Sequence, residues 1–214
     1  MRRTRRNTLE WKPTLSPNGF RHGISDALFV RASQPIRKVR VPAGFSTIEA
    51  VRKTTYSRKP MLVKAPIYDK LVKAGFHSCV APLLQEEGYV YSLALKDAKT
   101  LSDFIATGQR IDYKSAALAG LATAYIARND NHGNNWLVAP DGRVFLIDYD
   151  DAGGYEYPLA CTALLTEIES HMKFARRTPR QIGLVINKIK KEMLRQTELL
   201  DLSNEYDDAI KNWK

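Results

Sequence analysis

Cysteine is nearly missing from this chain: there are two, Cys79 and Cys161, far apart and in no Cys-x-x-Cys pair. That excludes a disulfide scaffold or a zinc ribbon and fits a reducing, cytoplasmic compartment. Long apolar runs are missing as well, so the sequence offers no membrane span. The charged start MRRTRRNTLEWKP is not followed by the apolar stretch of a secretory signal. His22, His77 and His171 show no metal-ligand spacing, and no internal repeat or low-complexity block is visible. Acidic charge is in deficit, with 23 Asp and Glu against 33 Lys and Arg, a net charge of +10. Such an excess favours an anionic partner: nucleotide phosphates, an acidic protein, a membrane surface or, less favoured, nucleic acid. What is present is ordinary: 44% hydrophobic residues, enough for a core, in 214 residues, a length that fits one domain or two lobes sharing a cleft.

Residues 1–18 read as a basic arm, with Arg2, Arg3, Arg5 and Arg6 lacking apolar neighbours and Pro13 and Pro17 interrupting any helix. Residues 19–96 read as a small antiparallel sheet. ALFVRA and IRKVRV alternate around a Ser-Gln-Pro turn, and CVAPLLQEEGYVYSLALKD gives two strands around Glu-Glu-Gly. FSTIEAVRKTTYSR and APIYDKLVKAGF are helix candidates, the second stopped by Gly75. Residues 97–214 read as helical. TLSDFIATG is a short helix capped by Thr100, and YKSAALAGLATAYIAR is an Ala-rich helix. The last long helix carries Ile182, Val185, Ile186, Ile189 and Met193 on one face. Between them NWLVA, PDGR and VFLID form a hairpin. Strands followed by helices give an α+β class with two lobes joined near LALKDAK, and a cleft between lobes is where ligands bind.

One stretch concentrates oxygen-bearing side chains. Asn129 to Asn135 holds one Asp, four Asn and a His, and the hairpin that follows ends in Asp148, Asp150 and Asp151. Phosphoryl transfer needs hard oxygens for a magnesium ion and a carboxylate to orient the attacking hydroxyl. Asp130, Asn135 and Asp148 offer that set. A hairpin turning at PDGR brings Asn135, before its first strand, and Asp148, at the end of its second, to the same open end. The alternative is a polar loop built of turn-forming Asn and Asp.

The stretch ARNDNHGNNWLV…VFLIDYD resembles the catalytic core of the protein-kinase-like superfamily. Asp130 with Asn135 five residues later matches its catalytic loop, Arg128-Asn129-Asp130 stands where the family writes His-Arg-Asp, and Asp148 stands at its metal-binding Asp. Asp130, His132 and Asn135 are also similar to loops of lipid kinases, HipA-like kinases and phage kinases. The size is similar to small kinases of phages or injected bacterial effectors, which implies a host cytoplasm and a host protein as substrate.

The resemblance implies a two-lobed protein-kinase-like fold with a sheet N-lobe and a reduced helical C-lobe. It implies ATP and Mg2+, with Asp130 on the acceptor hydroxyl and Asn135 and Asp148 on the metal. Lys38 would hold the α/β-phosphates beneath the Gly23 loop, and Glu49 on the following helix would pair with it; Lys64 competes with Lys38. The implied activity is a protein serine/threonine kinase, with a small-molecule phosphotransferase or a basic pseudokinase as alternatives. The chain departs from the family in lacking a full Gly-x-Gly-x-x-Gly, in Arg128 for His, in Asp150 for Gly, and in having no Ala-Pro-Glu after Asp150.

Overall fold

A computed structural model describes residues 36–43, 46–54, 67–81, 83–86, 89–128, 131, 133–147, 152–153 and 156–213. β1 (Ile36–Ala43) pairs antiparallel with β2 (Ser46–Thr54), placing Lys38 opposite Val51 and Arg40 opposite Glu49. β2 pairs in turn with β4 (Tyr89–Leu93), which pairs with β3 (Leu83–Glu86), all antiparallel. The sheet order is β1-β2-β4-β3.

This corrects one expectation. The segment 45–58 was expected to be a helix, and its central part is strand β2; Glu49 is a strand residue. Ser46 followed by Glu49 imitates a helix-starting capping box. Thr47, Ile48, Val51 and Thr54 are β-branched, however, and stiff χ1 rotamers suit a pleated strand better than a helix. With a strand on each side of it, tertiary pairing decides the outcome. The expected partner of IRKVRV, ALFVRA, lies outside the described residues, as do Gly19, Gly23 and Lys64.

Helix α1 spans residues 67–73 and stops at Gly75, whose φ of 92° only glycine adopts easily. A Cβ there would lie 2.7 Å from the Leu200 side chain, so the stop is also a packing contact. The chain then runs beside β7 (Val144–Leu146): Leu146 N–H donates to Cys79 O at 2.7 Å and Ala81 N–H to Leu146 O at 3.3 Å. β5 (Lys99–Thr100), β6 (Trp136–Val138) and β7 form a second, three-stranded antiparallel sheet. Between the two sheets lies the link 94–98, where Leu95 and Ala98 pack with Leu137, Ala139 and Phe145.

Helix α2 (Leu101–Ala106) starts at Thr100, whose hydroxyl accepts the Asp103 N–H at 3.2 Å. Helix α3 (Tyr113–Tyr125) is capped by Asp112, which accepts the Ser115 N–H at 2.8 Å. Every residue of α3 from Ser115 to Ala124 is buried, so this helix is apolar all round and sits inside the core. Its small side chains let neighbours approach: a Cβ on Gly120 would lie 2.5 Å from Met193 Cε. Around α3 pack α4 (Ala163–Phe174) and α5 (Pro179–Leu199), and α6 (Asn204–Asn212) packs on α5 and on the 3-10 segment Pro158–Thr162. Of the face expected on α5, Ile182, Ile186, Ile189 and Met193 are buried and Val185 is half-buried. Each such side chain contributes about 1.5–3 kcal/mol by leaving water.

Candidate functional site

The β6–β7 hairpin forms as expected, with Trp136 opposite Leu146 and Val138 opposite Val144. Its turn closes through Gly142 N–H to Ala139 O at 2.9 Å, with Gly142 at φ 88°. At the open end the pairing extends one residue further: Ile147 N–H donates to Asn135 O at 3.0 Å. Position 135 therefore lies opposite position 147, and Asp148 is the next residue of the chain. Asn135 ends the 3-10 turn Gly133–Asn135 and is buried.

Asp130, His132, Asp148 and Asp150 lie outside the described residues, and so does Gly23. Lys38 is on β1, a strand at the edge of its sheet among the described residues. Glu49 is on β2, opposite Arg40, two positions from Val51, the partner of Lys38. β2 carries cations that the sequence reading did not single out: Arg52 and Lys53, in register with Tyr91 and Val90 of β4.

Arg128 has a role that its sequence position did not announce. It follows the apolar run of α3 and is itself only 1% exposed. Its Nη1 donates to Ile147 O at 2.7 Å, a charge-assisted bond. Its own backbone N–H donates to Thr123 O at 3.1 Å, and its carbonyl accepts Asn131 Nδ2 at 2.8 Å. Both polar backbone groups of Ile147 are thus held, the C=O by Arg128 and the N–H by Asn135. These two residues bracket the loop 129–134. The residue before Asp148 is clamped by both ends of the loop that contains Asp130. An arginine closing an apolar, Ala-rich run was the signal available for it, because Arg is almost never fully buried without a specific partner.

The loop rests on α4. A Cβ on Gly133 would lie 2.5 Å from His171 Nε2 and 3.3 Å from Glu167 Oε2, a pair 3.1 Å apart, so a side chain at this position would displace His171. Asn131 Oδ1 in the same loop is buried and has no hydrogen-bond partner among the described residues. Carbonyl and carboxylate oxygens are the hard donors that magnesium prefers, so the residue types of this loop and of position 148 fit that ion. Among the described residues no group of three or more His, Cys, Asp or Glu converges. The thiols offer no nucleophile: both cysteines are buried and free, and burial pushes Cys161 up to about 12 and Cys79 upward as well.

No protein-family model matches the chain, and no curated protein matches it. Among solved structures, it is similar to a divergent kinase lacking the glycine-rich loop that regulates membrane ultrastructure of the Toxoplasma parasitophorous vacuole. That match has 13% identity and a TM-score of 0.44, covering 87% of this chain and 86% of that one. It is also similar to the choline kinase LicA from Streptococcus pneumoniae, at 12% identity and a TM-score of 0.38, covering 81% of this chain and 88% of that one. At such scores the functional reading rests on the chain's own residues.

Proposed function

We propose that the chain is an ATP-dependent phosphotransferase of protein-kinase-like architecture, transferring the γ-phosphoryl group to a hydroxyl. The observation that carries this reading is the double clamp on Ile147 by Asn135 and Arg128, which sets the residue preceding Asp148 against the loop containing Asp130. Preorganised oxygens and a carboxylate beside them are what phosphoryl transfer asks of a protein. In this proposal Asp130 orients the acceptor hydroxyl and takes its proton. Asn135 and Asp148 hold magnesium, which when bound neutralises charge on the phosphates. A cation of the first sheet steadies the α/β-phosphates beneath the Gly23 loop.

Lys38 was the first candidate for that cation, with Glu49 as its partner. The strand order favours β2 for the role, because β2 pairs with β4 and β4 runs directly into the link between the sheets. Lys53 and Arg52 therefore compete with Lys38. Lys38→Ala, Arg52→Ala and Lys53→Ala separate the three: the variant that removes the phosphate contact raises KM for ATP about tenfold or more, and the others leave it unchanged. The acceptor we favour is Ser or Thr of a protein, with a small-molecule hydroxyl as the alternative.

The test uses γ-labelled ATP and magnesium, with a protein lysate and without it. Asp130→Ala, Asn135→Ala and Asp148→Ala are each expected to lower transfer by about 100-fold or more while circular dichroism stays unchanged. Wild-type rates in Asp130→Ala and Asp148→Ala would remove the phosphotransferase assignment. Label on lysate proteins supports a protein kinase, and label on small solutes alone supports a metabolite kinase. Nucleotide binding without turnover leaves a basic pseudokinase.

A further inference from the structure

The turn between α4 and α5 reads Lys173-Phe174-Ala175-Arg176-Arg177-Thr178-Pro179-Arg180. Between Glu169 and Glu192 the chain holds seven Lys and Arg and no acid. Lys173 is paired with Glu169 at 2.8 Å, but Arg176, Arg177 and Arg180 have no ion-pair partner among the described residues. Phe174 is 91% exposed, the most exposed of the large hydrophobic residues among those described. An aromatic ring in water beside unpaired arginines invites a ligand that offers both apolar and anionic groups.

The turn is rigid. Arg176 N–H donates to Lys173 O at 2.9 Å and Arg177 N–H to Met172 O at 3.0 Å, which closes the helix end. Arg176 itself sits at φ 56°, the left-handed position that glycine usually fills at low cost. The next helix starts at once, with Thr178 and Gln181 in a reciprocal capping box and Pro179 in its first turn. Along α5 the outward stripe continues as Arg180, exposed Leu184, Lys188 and Lys191, opposite the buried Ile182, Ile186 and Ile189. A preorganised surface loses little entropy on binding.

We propose that this turn and the outer stripe of α5 form a docking surface for an anionic lipid bilayer, with Phe174 entering the headgroup region and the arginines lying at phosphate level. Two observations favour a bilayer over other anions. The ring stands on a protruding turn, whereas single-stranded nucleic acid stacks on aromatics lining a basic groove. A protruding ring fits a soft interface and gives an acidic peptide no concave wall. Basic residues with interspersed apolar ones on one helix face are the composition of a helix lying on a membrane. No helix among the described residues is long and apolar enough to cross one, so the contact is peripheral. This inference is independent of the phosphotransfer reading.

The experiment is co-sedimentation of the full chain with phosphatidylcholine vesicles, with and without phosphatidylserine. Binding is expected only with the anionic lipid and is released by salt. The exposed double variant Arg176→Glu/Arg180→Glu is expected to bind about tenfold or more weakly, and Phe174→Ser several-fold more weakly, with thermal melting reporting that both remain folded. No binding of the wild type to the anionic vesicles overturns the proposal, whether or not the chain binds nucleic acid or an acidic protein instead. So does undiminished binding by the double variant, which assigns the contact to another basic segment. Should either variant unfold, strong high-salt binding of the wild type to vesicles without phosphatidylserine also overturns it.

Discussion

At the scale of single residues, the fate of two arginines shows how context sets the role of one side chain. Arg128 is closed off from water and spends a charged donor on the carbonyl of Ile147. Arg176 stands exposed in a left-handed conformation. Replacing Arg128 by Ala leaves that buried carbonyl without its donor and opens a cavity, so stability is expected to fall by about 2–4 kcal/mol. Arg128→Lys keeps the charge but not the planar fork, and recovers only part of the loss. Urea denaturation midpoints measure both, and a change below about 0.5 kcal/mol for Arg128→Ala contradicts the clamp. Gly133 is the complementary case: Gly133→Ala forces His171 away from the loop and, on the proposed function, is expected to weaken nucleotide–magnesium binding more than it lowers stability.

At the scale of elements, the β6–β7 hairpin was legible because its turn chemistry is local. Pro140-Asp141-Gly142 states the turn, and VFL states a buried strand. A Cβ at Gly142 would lie 2.4 Å from Arg110 O, and its φ is 88°. Gly142→Ala is therefore expected to destabilise by about 1–3 kcal/mol while leaving the far end of the hairpin, at Asn135 and Ile147, in register. Hydrogen exchange of the Ile147 amide checks the second half of that statement. The β2 segment was misread because its helix-start signature is local and its two strand partners are not. The cap at Thr100 and the stop at Gly75 were readable for the same local reason, one hydroxyl or one missing Cβ each.

At the scale of the whole molecule, burial of ionisable groups sets the pH range of stability. Burial raises the proton affinity of Cys79, Cys161 and Tyr206; for Tyr206, Glu156 adds to it, its carboxylate accepting the Tyr206 hydroxyl at 3.3 Å. Groups whose folded pKa is raised contribute stability that is complete below the ordinary values, 9.0 for the thiols and 10.0 for the phenol. That contribution is lost as pH climbs from there toward the folded values, about 12 for Cys161. These three groups predict a melting temperature with no loss from neutral pH up to about 9, then a steep decline. A curve still flat well above pH 10 would show these groups to be more accessible than the fold implies. Thiol reagents at neutral pH are expected to react slowly with both cysteines, since neither is exposed or ionised.

The sequence by itself determined the α+β class, the Ala-rich central helix, the hairpin, and the loop where polar groups gather, because each depends on side-chain periodicity or on one turn residue. It also indicated the positive excess that any anionic partner meets. Tertiary structure decided what depends on contacts distant in sequence. It made residues 46–54 a strand by giving them two neighbours. It buried Arg128 against Ile147, 19 residues further on, and left Phe174 exposed beside arginines that have no ion-pair partner among the described residues. An arginine reads the same in sequence whether it will be buried or exposed, because the free energy of burying it is set by the partner the fold supplies.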